Sequence, residues 1–115
     1  MKDDRIYLLH IRECLERIKQ YTSAGRDKFL SDTLIQDAVI RNLQTLAESS
    51  QRLADFLKLK HPEVDWKNIA GFRNVVVHNY LGIDVEQIWD IVEQNLPKLK
   101  TTIDSMIAEL GDPQL

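Results

Sequence analysis

The sequence predicts an all-α fold: an antiparallel four-helix bundle that leaves room for one short extra helix. Apolar residues recur at spacings of three and four in four separate segments, which is the pattern of amphipathic helices. The chain has only 4 glycines and 3 prolines, too few for the many turns of an all-β fold. Its 115 residues suffice for one hydrophobic core but not for two. We therefore expect a single domain over residues 1–115, with a frayed C-terminal tail from about residue 111.

The first two helices follow from their apolar spacing and from the residues that end each segment. The first helix should end near Gly25, and its apolar face consists of Tyr7, Leu8, Ile11, Leu15, Ile18 and Tyr21. The stretch RDKFLS, residues 26–31, is predicted as a turn before Thr33, which with Gln36 has the spacing of a capping box. The second helix should run on to Pro62. Its apolar positions are Ile35, Ala38, Val39, Leu46, Leu53, Phe56 and Leu57.

The third and fourth helices each begin at an aspartate that is suited to capping. Asp65 should cap a helix that ends near Gly82 and turns Trp66, Ile69, Phe72 and Val76 inward. Asp84 should cap the last helix, whose apolar seam is Val85, Ile88, Val92, Leu96, Leu99, Ile103, Met106 and Leu110. Pro97 lies within this seam and is expected to kink the helix. Short connections between the four helices favour antiparallel packing.

The cysteine content and the N-terminal pattern exclude several classes of protein. The lone Cys14 cannot form an internal disulfide, and without a CxxC pair or a His/Cys cluster we expect no metal site and no metal cofactor. His10 lies four residues before Cys14, but a pair without further ligands is more often a packing contact. Charges interrupt the apolar residues of the N-terminus too often for a signal peptide, and no long uncharged run could span a membrane. The expected location is therefore the cytoplasm.

The charge distribution is lopsided, although the formal net charge is only −3. This net charge argues mildly against a protein that coats nucleic acid nonspecifically. Residues 52–73 contain five basic and three acidic side chains, whereas residues 84–112 contain seven acidic and two basic ones. The first of these segments could attract a phosphate chain, and the second could face water or a basic partner. Ordinary solvated helix faces would explain both segments as well.

The stretch RNVVVHNY, residues 73–80, places four side chains rich in hydrogen-bonding groups around three valines. At about 100° per residue, with Ile69 at the centre of the buried stripe, His78 lies about 180° away and Arg73 about 40° away. One exposed face of the third helix therefore consists of Lys67, Gly71, Asn74 and His78. Because Gly71 has no side chain, another backbone could approach this face closely. A two-fold homodimer across it would bring two histidines and two arginines around one cleft.

Such a set of side chains suits the cleavage of RNA. A neutral imidazole takes the proton of a ribose 2′-hydroxyl, a protonated imidazole supplies one to the leaving 5′-oxygen, and arginine stabilises the charge on the phosphate without a metal. Asn74 could orient His78 or hold a phosphate oxygen, and Lys67 could contact RNA. Simpler roles remain open at this point. Arg73 could pair with a carboxylate, His78 could cap the helix end, and Tyr80 could pack on the bundle.

The spacing Arg73, Asn74, three valines, His78, one residue, Tyr80 resembles the RX4HXY signature of the HepT toxins in the HEPN superfamily. The segments HPEVDWKNIAGFRNVVVHNYLGID, QDAVIRNLQTLAESSQRL and IWDIVEQNLPKL resemble the helices of that family, so the resemblance extends over nearly the whole chain. One departure is LAES, which keeps Glu48 but lacks the glycine of the family's Gly-Glu-Ala pattern. This departure bears on local helix packing more than on activity.

The resemblance implies a HEPN fold and a metal-independent endoribonuclease that cleaves messenger or transfer RNA. Arg73 and His78 would carry the cleavage, Asn74 would match the family's polar position, and two subunits would build one site. The chain would be the toxin of a type VII toxin–antitoxin pair. Its partner, a MntA-like nucleotidyltransferase antitoxin, would neutralise it by transferring AMP from ATP to Tyr80.

Two other interpretations stay open from the sequence. The chain could be a noncatalytic HEPN subunit that binds nucleotide or RNA for a partner nucleotidyltransferase. It could also be a plain dimeric helical bundle with no active site.

Overall fold

Seven α-helices and one π-helical segment form the described part of the chain, which confirms the all-α prediction. The structure is a computed structural model that describes residues 4–78 and 84–110, without the side chains of residues 74–78. The helices are α1 (Asp4–Tyr21), α2 (Arg26–Ser31), α3 (Thr33–Gln51), α4 (Asp55–Leu59), α5 (Trp66–His78), α6 (Val85–Asp90) and α7 (Leu96–Leu110). The π segment is Ile91–Asn95. The predicted helix end near Gly82 and the predicted tail from residue 111 lie outside the described residues.

The long helices pack in the order α7, α1, α3, α5, since α1 contacts both α7 and α3 and α3 contacts α5. The centre of the core is formed by fully buried side chains that include Leu8, Ile11, Leu43, Leu46 and Ile103. Each fully buried aliphatic side chain stabilises the fold by about 1.5–3 kcal/mol. The helical periodicity predicted most of this core correctly. Tyr21 is an exception, because its side chain is 37% exposed.

The connection between α1 and α3 is a short helix and not the turn predicted for RDKFLS. Gly25 precedes it at φ 96°, a left-handed conformation that favours glycine. Phe29 buries its ring in the core, 5.5 Å from the ring of Trp89 on α6. Burial of this aromatic side chain accounts for the ordered helix.

The residue that caps α3 is Asp32, so the predicted capping box of Thr33 and Gln36 is wrong. The Asp32 carboxylate accepts hydrogen bonds from the backbone N–H groups of Leu34 and Ile35. The bond from Ile35 is the main cause that lowers the pKa of Asp32. The Gln36 amide instead donates to the carbonyls of Phe29 and Leu30. It thereby joins α3 to the end of α2.

The second predicted helix is two helices, because α3 ends at Gln51 and α4 begins at Asp55. A continuing helix would pair the N–H of Ala54 with the carbonyl of Ser50. Here the Ala54 N–H donates to the Asp4 carboxylate at 3.1 Å, and the Lys58 ammonium donates to the Ser50 carbonyl at 3.2 Å. The break leaves Phe56 60% exposed, contrary to its predicted inward position.

A network of side chains ties the start of α5 to α7. Asp65 caps α5 as predicted, since its carboxylate accepts from the N–H of Asn68 at 3.1 Å. The buried His61 ring lies 3.2 Å from Glu63 Oε2 through Nδ1 and 3.0 Å from Glu109 Oε1 through Nε2. Thr102 on α7 donates to the same Glu63 oxygen at 3.1 Å. The backbone N–H of Glu63, with the bonds from His61 and Thr102, lowers the pKa of Glu63.

The last predicted helix begins at Asp84, whose carboxylate accepts from the N–H groups of Glu86 and Gln87. Just before Pro97, where a kink was predicted, the helix changes to the π segment Ile91–Asn95. At the end of this segment the Leu96 N–H donates to the Ile91 carbonyl. Pro97 follows directly and has no N–H to return to the α-helical pattern of bonds. No helix within the described residues combines the length and the apolar character needed to cross a membrane.

Candidate active site

Helix α5 carries the Arg-X4-His sequence and is held on α3 by its apolar side. Ile69 and Phe72 are buried in the core, as predicted. At the start of the helix, the indole N–H of Trp66 donates to the carbonyls of Lys58 and His61. These contacts fix both the rotation of α5 about its axis and the position of its first turn. The direction of Arg73, one residue after Phe72, follows from them.

Arg73 lies at the rim of the buried face, where the helical projection had placed it. Its side chain is 51% exposed, and its Nε is 3.8 Å from Oε1 of Glu48 on α3, which is 47% exposed. Within the described part of the chain, this ion pair is the only partner of the guanidinium group. At this distance and exposure the pair contributes about 0–1 kcal/mol. At 3.8 Å it is too long for a hydrogen bond, so Glu48 attracts Arg73 only weakly, and no described residue occupies the guanidinium donors.

Glu48 is the site residue that the sequence interpretation did not assign. One general signal for it was present, because an arginine at the rim of a buried face often pairs with a carboxylate on the adjacent helix. The LAES segment, which keeps Glu48 of the family's Gly-Glu-Ala pattern, was a second signal, although it gave Glu48 no role. Two considerations select Glu48: α3 and α5 are in contact, and Glu48 follows the buried Ala47 on the α3 surface.

Asn74 and His78 belong to the same helix as Arg73, because α5 is helical through His78. His78 follows Arg73 by five residues, which is a rise of about 7.5 Å and a rotation of about 140° around the axis. Arg73 and His78 of one helix thus start from well-separated directions. The roles predicted for the Asn74 and His78 side chains, and for Tyr80, lie outside the described residues.

No described residue covers α5 at Gly71, and Lys67 on the same face is exposed. Lys67 is exposed and forms no ion pair with a described residue. A Cβ added to Gly71 would meet nothing within 4 Å. No other element of the described chain therefore covers α5 at Gly71. The close approach of a second backbone, predicted for this face, remains a prediction.

Only one of the five basic side chains in segment 52–73, that of Lys58, is largely withdrawn from the surface. The Lys58 side chain is only 19% exposed, and its ammonium donates to the Ser50 carbonyl at 3.2 Å. Arg52, Lys60, Lys67 and Arg73 remain exposed, and the Lys60 ammonium lies 5.8 Å from the centre of the exposed Phe56 ring. Among the described residues, no group of three His, Cys, Asp or Glu side chains is arranged to hold a metal ion. The chemistry offered by the described site is that of an oriented and accessible guanidinium.

The fold and this site define a class of protein: an all-helical bundle in which one helix bears an Arg-X4-His sequence and holds its arginine at the surface. A match to the family described as "Ribonuclease HepT-like" covers residues 11–106. The chain belongs to the HepT-like ribonuclease family. No solved structure matches the chain.

Three relatives illustrate the range of the similarity. A protein of Methanocaldococcus jannaschii named "Gamma-glutamylcyclotransferase and putative RNase" is 36% identical over 110 residues. The alignment covers 95% of this chain but only 50% of that protein, so the chain spans about half its length. The "Probable ribonuclease HepT" of Thermococcus cleftensis is 35% identical over 87% of this chain and 92% of its own. The "mRNA nuclease HepT" of Shewanella oneidensis is 26% identical over 86% of this chain and 92% of its own.

Proposed function

We propose that this protein is a metal-independent endoribonuclease and the toxin of a type VII toxin–antitoxin pair. The observation that carries the proposal is the half-exposed Arg73 on α5, the helix that also carries His78, with its guanidinium 3.8 Å from Glu48 of α3. Membership of the HepT-like ribonuclease family supports it, as does the name of the Shewanella oneidensis relative, an mRNA nuclease. Purified protein is expected to cleave single-stranded RNA in the presence of EDTA. Binding of RNA without cleavage would instead identify a noncatalytic binding subunit.

The proposed reaction uses two subunits. The neutral imidazole of one His78 accepts the proton of a ribose 2′-hydroxyl while the 2′-oxygen forms a bond to phosphorus. The bond from phosphorus to the 5′-oxygen breaks, and the protonated imidazole of the second subunit donates a proton to that oxygen. The products are a 2′,3′-cyclic phosphate and a 5′-hydroxyl. Arg73 stabilises the extra negative charge on the phosphate oxygens in the transition state, and Asn74 orients the imidazole or the phosphate.

The open face at Gly71 is the proposed contact between the two subunits. Gly71→Trp should abolish the homodimer and RNA cleavage without unfolding the domain, because the added side chain projects into the space the second subunit requires. Gly71→Ala is the matched control: it adds only a Cβ, for which this chain has space, and it favours the helix by about 1 kcal/mol. Analytical ultracentrifugation and thermal melts distinguish the two effects. A Gly71→Trp protein that remains a dimer would place the subunit contact elsewhere.

Glu48 is proposed to position Arg73. Glu48→Gln should lower the turnover rate up to about fivefold, the equivalent of an exposed ion pair of about 1 kcal/mol. The KM for RNA should stay constant or fall, because a negative charge beside the phosphate path is lost. Glu13→Gln is the matched control, since Glu13 forms an exposed ion pair with Arg17 on α1. Equal losses in the two variants would show that Glu48 has no specific role.

Tyr80 is proposed as the point of control by a MntA-like nucleotidyltransferase. The Tyr80 hydroxyl oxygen would attack the α-phosphorus of ATP, releasing pyrophosphate and a proton and leaving AMP on the tyrosine. The added phosphate and adenine would block RNA by charge and by bulk.

Incubation with the nucleotidyltransferase and ATP should raise the intact mass by one or more AMP units and stop RNA cleavage. Tyr80→Phe should show neither change, while Tyr21→Phe, which alters an exposed tyrosine at the end of α1, should show both. If the Tyr80→Phe protein were still modified, a residue other than Tyr80 would be the one that accepts AMP.

A further inference from the structure

The side chain of Lys58, on α4, ends at the last turn of α3. Its ammonium donates to the carbonyl of the buried Ser50 at 3.2 Å. A carboxylate oxygen of Asp55 lies 3.9 Å from the ammonium, too far for a hydrogen bond, and the Asp55 side chain is 97% exposed. Carbonyls in the last turn of a helix lack α-helical partners, and the helix dipole favours a cation beside them. Lys58 thus caps the C-terminus of α3 from a different helix.

The main chain of the same residue holds the start of α5. The Lys58 carbonyl accepts a hydrogen bond from the indole N–H of Trp66 at 3.2 Å, and the same N–H also donates to the His61 carbonyl at 3.1 Å. Trp66 is the first residue of α5. Helix α4 has five residues and buries only Leu57, so its position depends strongly on these polar bonds. Lys58 therefore joins the last turn of α3 to the first turn of α5.

This connection bears on Arg73 because the contact of Arg73 with Glu48 is weak. The two charged groups are 3.8 Å apart and about half exposed, so their attraction does not fix the guanidinium. The direction of Arg73 then depends on where the backbone of α5 lies on α3. The buried Ile69 and Phe72 hold α5 against the core, but apolar contacts are nondirectional. The bonds of Trp66 are directional, and Trp66 precedes Arg73 by about 10 Å along the helix axis.

We propose that Lys58 is a positioning residue for the cleavage of RNA. By joining the end of α3 to the start of α5, it sets the direction in which Arg73 meets the phosphate. Lys58 takes no part in the reaction itself, because its ammonium is engaged by the Ser50 carbonyl. The effect on cleavage rests on the proposed ribonuclease function, whereas the effect on the orientation of Arg73 does not depend on RNA.

Lys58→Met tests the role of the ammonium, because it keeps an apolar stem and removes the charged group. The variant should lower the turnover rate about three- to tenfold, less than the 10²-fold that a misplacement of about 1 Å can cost. The KM for RNA should change little, since no group that binds RNA is removed. Lys58→Arg should restore most of the turnover, because a guanidinium N–H can donate to the Ser50 carbonyl in place of the ammonium. Steady-state cleavage of RNA by the full-length protein measures both quantities.

Lys98→Met is the matched control, since it removes the same charge from an exposed lysine of α7 that forms no ion pair with a described residue. It should leave the turnover rate and the KM unchanged. Trp66→Phe breaks the other end of the connection, because it keeps an aromatic ring but loses the bonds to the Lys58 and His61 carbonyls. It should lower the turnover rate as Lys58→Met does, and it decides alone if Lys58→Met fails to fold.

The NMR signal of the Arg73 Nε–H group reports on the orientation of Arg73 without RNA. It should shift in the Lys58→Met and Trp66→Phe proteins, return towards its original position in Lys58→Arg, and stay in place in Lys98→Met. The proposal is overturned if Lys58→Met lowers only the melting temperature, with the turnover of the folded protein and the Arg73 signal unchanged. Equal effects of Lys58→Met and Lys98→Met would overturn it as well. If the unaltered protein cleaves no RNA, the proposed function fails, and the Arg73 signal still decides whether Lys58 orients Arg73.

Discussion

An enzyme carrying His78→Ala should cleave RNA about 10²- to 10⁴-fold more slowly than the unaltered protein, the range typical of general acid–base catalysis. The loss should be large because the proposed reaction uses His78 twice, as base in one subunit and as acid in the other. Single-turnover cleavage of a short labelled RNA in EDTA measures it. The thermal melting curve should stay close to that of the unaltered protein.

His10→Ala is the matched control, because His10 is an exposed histidine of α1 far along the chain from α5. It should cleave RNA at the unaltered rate. Mixed dimers of one His78→Ala subunit and one unaltered subunit make the test sharper, since a shared site needs both imidazoles and should be almost inactive. Mixed dimers that retain half of the activity would show that each subunit works alone, and a fully active His78→Ala protein would remove His78 from the site.

Arg73→Lys should lower the turnover rate by about 10²- to 10³-fold, the effect of removing one donor aimed at transition-state charge. Lysine keeps the positive charge but lacks the planar fork of donors that binds two phosphate oxygens at once. The KM for RNA should therefore change little, because long-range attraction of the phosphate chain depends on charge alone. Steady-state kinetics at constant salt separate the two quantities.

Arg41→Lys is the control for this substitution, because Arg41 is an exposed arginine of α3 without an ion pair to a described residue. It should leave both the turnover rate and the KM unchanged. If the Arg73→Lys protein cleaved RNA at the unaltered rate, the positive charge of Arg73 alone would account for its role. Equal turnover by an Arg73→Ala protein would exclude it from the reaction.

Helical periodicity predicted the elements that pack along their whole length. The faces of α1 and α7 appear in the sequence as regular apolar spacings, and most of these residues are buried. The break between α3 and α4 could not be predicted this way, since it depends on Asp4, fifty residues earlier, accepting the N–H of Ala54. The cap at Asp32 was missed for a local reason: two adjacent residues, Asp32 and Thr33, are both good caps, and the aspartate makes the bonds.

The candidate site shows the same division between local and distant information. The helical projection placed Arg73 at the rim of the buried face, and the structure confirms that position. Its partner Glu48 lies on another helix, and the distance between two helix surfaces is not encoded in the spacing of either. The predicted roles of His78, Asn74 and Tyr80 still rest on their positions in the motif.

The contacts of His61 and Glu63 with Thr102 and Glu109 make α7 part of the support for the start of α5. The partners are up to 48 residues apart: Thr102 in the first half of α7 donates a hydrogen bond to Glu63, and Glu109 in the last turn lies 3.0 Å from the His61 ring. A substitution of Thr102 would therefore loosen the base of α5. The orientation of Arg73 would then change. A substitution far from the site would thus lower activity by misplacing Arg73 and not by removing a reacting group.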